Sequence, residues 1–121
     1  MEKDIKEFIE KEIPELSGKL YPIFTTRLDC LTIAYTFTPL MGGHVKQSQL
    51  ELKVISKDYD ETKEMEGKLN NLLDMEEDES YRKTGNTYFH SELSGGGTLF
   101  NPECERFENT LLYIINWRQE T

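Results

Sequence analysis

The sequence lacks a long apolar run and an excess of basic residues. None of its apolar stretches approaches the roughly 20 residues needed to cross a bilayer. Residues 1–12 alternate acids and bases, unlike the basic start and apolar stretch of a signal peptide, so a cytoplasmic location is predicted. Lysine and arginine number 14 against 23 acids, giving a net charge of −9. Because such a protein repels phosphates, nucleic-acid binding and attachment to anionic membranes are disfavoured.

Cysteine and histidine are also scarce, and their spacing excludes the common metal motifs. Cys30 and Cys104 form no Cys-x-x-Cys pair and are predicted to be free thiols in a reducing compartment. His44 and His90 have no second ligand at the spacing that zinc requires. The acidic run 74–79 lacks the ligand spacing of an EF-hand. From these absences we predict that the protein binds neither a metal ion nor another cofactor.

Catalytic motifs are missing as well. Gly95 to Gly97 are not followed by the Gly-Lys-Ser/Thr of a phosphate-binding loop, and they are predicted to form a hairpin loop in which glycine adopts positive φ. No serine lies in a Gly-x-Ser-x-Gly context, and no histidine is marked as the base for Cys30. We therefore predict that the chain is not an enzyme.

Two amphipathic helices are present. Ile5, Phe8, Ile9 and Ile13 follow helical spacing, and Pro14 ends this first helix near Ile13. The second helix follows Lys57, where Asp58 and Glu61 have the spacing of a capping box. Its apolar stripe consists of Met65, Leu69, Leu72 and Leu73.

The strand signals predict the fold class. Residues 31–37 and 45–56 alternate apolar and polar side chains, which predicts an antiparallel hairpin. A short extended segment is expected at Leu20–Thr25, and further strands at 87–93 and 107–117. The order α-β-β-α-β-β predicts a single α+β domain over 1–121. Its sheet of about four strands, antiparallel or mixed at an edge, would carry both helices on one face.

The last strand is apolar on both faces, because Leu112 and Ile114 alternate with the larger set of apolar odd positions. Two helices cover only one face of a sheet, so these two residues either contact another subunit or remain as exposed aliphatics of a central strand. Met41, Leu99 and Phe100 are further candidates for a subunit or partner contact. They belong to segments 41–46 and 94–101, which are expected to be mobile loops that order on assembly.

The layout resembles one known family. An N-terminal amphipathic helix precedes a β-hairpin, a strand runs directly into an acid-capped helix at residues 50–61, and a long aromatic-aliphatic strand closes the chain at Phe107–Trp117. This arrangement is similar to the tail terminator proteins of tailed bacteriophages and prophage tail particles, including those labelled minor capsid or head–tail joining proteins.

The resemblance implies a ring, typically a hexamer, that caps the tail tube and stops its polymerisation. The ring would bind the tail tube protein and the head-side connector, without cofactor or catalysis. It would assemble in the host bacterial cytoplasm and remain in the virion or tail-like particle.

Two other classes of function remain open. One is a small ligand-binding or enzymatic α+β domain, which would show a concave pocket with perturbed titratable groups. The other is an acidic regulatory or inhibitor protein that mimics nucleic acid with residues 74–79, which would be monomeric and bind a basic partner.

Overall fold

The computed structural model describes residues 1–22 and 30–120, which form two helices packed on one sheet. Between α1 and β1 the chain makes one short 3₁₀ turn, Pro14–Leu16. In chain order the elements are α1 Glu2–Glu12, β1 Leu20–Pro22, β2 Thr32–Met41, β3 Lys46–Ser56, α2 Tyr59–Leu73, β4 Arg82–Thr84, β5 Thr87–Asn101 and β6 Arg106–Gln119.

The sheet is a curled half-barrel with the strand order β1-β2-β3-β6-β5-β4. β1 runs parallel to β2, and the other four pairs are antiparallel. The prediction of about four antiparallel strands in the order α-β-β-α-β-β is therefore wrong, since the described residues form six strands in a mixed sheet. β1 and β4 have three residues each, too few to show a period of two. Residues 23–25 of the predicted extended segment lie outside the described residues.

The predicted hairpin between the second and third strands is confirmed. Ile33 lies opposite Val54 and Phe37 opposite Leu50, in antiparallel register. The pairing continues to Met41, so only residues 42–45 form the connection. The predicted loop at Met41–Lys46 is therefore shorter than the sequence indicated, because the strands continue into it.

The glycine segment is part of a strand, and the prediction of a hairpin loop there is wrong. β5 continues through Asn101, and its residues 95–101 pair with β6. The turn lies instead at residues 102–105. One irregularity in the register, between Leu93 and Gly95, marks a β-bulge. Glycine is depleted in strands and shows no alternation, so only the pairing with β6 reveals this strand.

Both helices contribute to one core on one face of the sheet. On β6 the odd positions Leu111, Tyr113 and Ile115 are buried, and they join Ile5 and Ile9 of α1 in this core. From α2 the core receives Met65, Leu69 and Leu73. The intervening positions of β6 point to the opposite face, which we call the outer face. None of the helices in the described part is long and apolar enough to span a membrane.

The junction between β3 and α2 is held by side-chain caps, although not by the predicted capping box. Asp58 Oδ1 accepts a hydrogen bond from the Asp60 backbone N–H at 2.9 Å. Glu61 does not return to the N–H of Asp58, because its Oε1 accepts from Ser56 Oγ at 3.0 Å. The Asp58 N–H donates to Ser56 Oγ at 3.1 Å instead. The end of β3 and the start of α2 are thereby fixed to each other.

The buried Tyr113 makes the free energy of unfolding of the domain depend on pH in the alkaline range. Its hydroxyl donates to Asn70 Oδ1 at 2.6 Å, and burial raises the pKa of Tyr113 well above 10.0, with smaller effects from Asp74 and Glu66. Above pH 10.0 the unfolded chain loses the Tyr113 proton while the folded chain keeps it, so the free energy of unfolding falls with rising pH.

The test compares the wild type with the Tyr113→Phe variant by denaturant unfolding between pH 7 and 11. At neutral pH we expect the variant to lose about 1 kcal/mol with the hydrogen bond. Above pH 10.0 the variant should lose less stability than the wild type, because it has no phenol at this position to ionise. Parallel pH curves for the two proteins would contradict this assignment.

Candidate assembly surface

Leu112 and Ile114 form an apolar island on the polar outer face. Leu112 lies between Glu51 of β3 and Gly95 of β5. Ile114 lies between Gln49 and Glu92 in the same way. Both side chains are half-buried. A Cβ added at Gly95 would meet no atom within 4 Å, so the β5 side of Leu112 is open to an approaching group.

A second apolar surface lies where β2 meets β3, and we call residues 39–46 the β2–β3 tip. Met41 is 65% exposed, and Leu40 and Val45 are exposed beside it. A groove of about 440 Å³ runs along this tip and is walled on one side by Trp117. Lys46 Nζ lies 5.0 Å from the centre of the Trp117 ring. The tip thus combines apolar side chains with one cation.

A third apolar surface lies where β5 meets β6, and we call residues 96–108 the β5–β6 end. Leu99 is 56% and Phe100 is 49% exposed. The Phe100 ring lies 5.0 Å from the Phe107 ring, which in turn lies 5.5 Å from Tyr59 at the start of α2. The aromatic cluster is therefore on the helix side of the sheet. Leu99 lies opposite Glu108, and its side chain is on the outer face.

The structure does not bring the five predicted contact residues together. Met41 pairs with Gln47, which lies opposite Asn116 near the end of β6. Phe100 pairs with Phe107 at the beginning of β6. Nine residues of extended strand separate those two points of β6, a distance of roughly 30 Å. The β2–β3 tip and the β5–β6 end thus lie at opposite ends of the sheet, with Leu112 and Ile114 between them.

Sequence reasoning missed several members of these surfaces. Leu40 adjoins the predicted loop at 41–46 and Val45 lies within it, so both carried the same signal as Met41. The sequence did not predict that Tyr59 and Trp117 belong to these surfaces, because each joins its surface through a contact with another element. Tyr59 contacts Phe107 of β6, and Trp117 contacts Lys46 of β3. The prediction that Ser94–Asn101 is a loop is wrong, as β5 shows.

Two titratable groups, His90 of β5 and Lys68 of α2, have partners within the fold. His90 is buried, with Nε2 2.7 Å from the Glu76 carbonyl oxygen and Nδ1 3.8 Å from Glu92 Oε1. A groove of about 430 Å³ between α2 and the start of β2 contains the ion pair of Lys68 and Glu15 at 2.7 Å. The hydrogen bond to Glu15 raises the pKa of Lys68.

Within residues 1–22 and 30–120, no three or more His, Cys, Asp and Glu side chains are grouped so that they could hold a metal ion. Cys30 and Cys104 are free and half-buried.

Comparisons with known proteins do not assign the chain to a family. No family model matches the sequence, and no match is found among curated proteins.

Proposed function

We propose that this chain is a structural, non-enzymatic assembly protein whose copies form a ring through head-to-tail contacts. The observation that supports it is the position of two exposed apolar surfaces, the β2–β3 tip and the β5–β6 end, at opposite ends of one sheet. A two-fold contact centred on one of these surfaces places that surface against itself and leaves the other exposed to water. A head-to-tail contact covers both, and it gives a ring when the rotation between copies closes.

The ring's task is inferred from the resemblance to tail terminator proteins. Four features support it: α1 precedes the β2–β3 hairpin, β3 leads directly into α2, Asp58 caps α2, and β6 is the last strand. We propose that the ring is a hexamer, as the resemblance implies, and that it caps a phage or prophage tail tube. It would stop tube polymerisation and join the tube to the head-side connector.

The exposed side chains supply part of the energy of such a contact. Fully burying a large apolar side chain contributes about 1.5–3 kcal/mol, so Met41, Leu99 and Phe100 would each contribute about half of that from their exposed fraction. The net charge of −9 on every copy opposes association. Salt screens this repulsion, with a Debye length of about 10 Å at 0.1 M, so assembly should strengthen as salt increases.

The proposal is tested by sedimentation and negative-stain electron microscopy of the purified protein. Each measurement is made at low and at high salt, with and without tail tubes. We expect one closed oligomer that becomes more populated with salt, and tubes whose ends are capped and whose growth stops. The Tyr81→Ser variant is a control, because Tyr81 is exposed and belongs to neither apolar surface, and its ring lies 5.8 Å from the His90 ring. This variant should assemble like the wild type. A protein that stays monomeric in all conditions contradicts the proposal.

A further inference from the structure

We infer that the β2–β3 tip of one copy docks on the outward edge of β5, at the β5–β6 end, of the next copy. This inference rests on the proposed ring and names its subunit contact. It follows from the backbone groups, the glycines and the distribution of charge at these two places.

Among the described residues, the edge of β5 is unpaired beyond Leu93. β4 pairs only with residues 87–89, and the next outward groups are bonded, since Met75 N donates to Ser91 O and Leu93 N to Asp74 Oδ1. Farther along, no strand of the described chain pairs with this edge. Since hydrogen-bonded and non-bonded pairs alternate along β6, the N–H and C=O groups of Gly96, Thr98 and Phe100 point outward.

This edge has little protection against an added strand or hairpin. Natural proteins usually block open edges with lysine, proline or a covering element. Residues 94–101 contain no lysine and no proline. Gly95 and Gly97 have no side chains, and a Cβ added at either position would meet no atom within 4 Å. The outer face beside the edge is therefore unoccupied at these two positions. An approaching chain therefore reaches the backbone and the side of Leu112 without obstruction.

Charge identifies the occupant as a second copy of this chain. Residues 30–50 contain no acid, and the β2–β3 tip carries Lys46. The β5–β6 end carries three glutamates, Glu103, Glu105 and Glu108, with Arg106 the one basic residue among them. A two-fold pairing of β5 edges would place these glutamates against each other, which is unfavourable. Docking the tip there brings Lys46 near these glutamates and joins the two apolar surfaces. Glu2 of α1 also lines the groove along the tip.

Cross-linking between two single-cysteine proteins tests this contact. Both carry Cys30→Ser and Cys104→Ser; one adds Met41→Cys and the other, enlarged by a tag, adds Leu99→Cys. A short bismaleimide is added to each protein alone and to the mixture. We expect a cross-linked product of mixed size in the mixture only. Rings without that product overturn the inference and leave the proposed function standing, whereas absence of both rings and product overturns both. A cross-linked product from Leu99→Cys alone shows two-fold pairing and overturns the inference.

Charge reversal in the native cysteine background gives an independent measurement. Lys46→Glu alone, and Glu105→Lys with Glu108→Lys, are each expected to raise the concentration at half-assembly about two- to five-fold, the range of exposed ion pairs. The combined variant should recover most of this loss, because the opposite charges again face each other. Losses that simply multiply in the combined variant would show that the tip and the β5–β6 end do not meet, which overturns the inference.

Discussion

Replacing Gly96 with alanine is expected to destabilise the domain by about 3–5 kcal/mol, a large share of the stability of a domain of this size. Gly96 has a φ of 148°, a conformation that residues with a side chain rarely adopt. A Cβ there would overlap the Thr110 carbonyl oxygen and lie 3.0 Å from the Thr110 carbonyl carbon and 3.3 Å from the Leu111 Cα. These are backbone atoms of β6 in the middle of the sheet, so they cannot move aside without disrupting the pairing.

The neighbouring glycines are matched controls for this prediction. Gly95→Ala and Gly97→Ala introduce the same methyl group into open space, without a positive φ. We expect each to change the free energy of unfolding by less than about 1 kcal/mol, since an alanine at a compatible position mainly reduces the entropy of the unfolded chain. Denaturant unfolding of the three variants measures the contrast. Equal, small effects at all three positions would mean that this segment is a flexible loop and not a strand of the sheet.

The glycine strand also shows what the sequence could not predict about the fold. The two helices and the strands with regular alternation were identified because each carries its own periodicity, as in the hairpin of β2 and β3. β1 and β4 are too short for a pattern, and the second half of β5 is specified by its partner β6 rather than by its own residues. Tertiary pairing therefore determines the parts of the sheet that the sequence analysis missed.

The sequence predicted the exposure of three candidate surface residues, but it did not predict where they lie relative to one another. Met41, Leu99 and Phe100 are exposed, as expected for apolar residues of the glycine-containing segments 41–46 and 94–101. Their separation into two surfaces at opposite ends of the sheet depends on the registers of β2 with β3 and of β5 with β6. A prediction of head-to-tail contact from these residues needs that geometry, because residue type alone does not reveal which surfaces lie on opposite sides of the molecule.

Replacing Leu112 and Ile114 together with aspartate is expected to abolish assembly while the subunit stays folded. Both side chains are half-buried on the outer face, where their cross-strand neighbours are polar or glycine. The new carboxylates therefore remain hydrated in the free subunit. In a subunit contact each carboxylate would have to be desolvated beside apolar groups, a cost of several kcal/mol that is repeated at every interface of a ring.

Two further variants separate the possible causes of such a loss. Leu111→Asp changes the adjacent residue, which faces the core, and should unfold the domain because it buries an unpaired charge. Leu112→Thr with Ile114→Thr removes apolar surface without adding charge, and should weaken assembly less than the aspartates do. Near-ultraviolet circular dichroism measures folding, while sedimentation and the length of capped tubes measure assembly. If the double aspartate variant unfolds, Leu112 and Ile114 belong to the core. If it assembles normally, they are exposed aliphatics of a central strand, and the subunit contact is confined to the β2–β3 tip and the β5–β6 end.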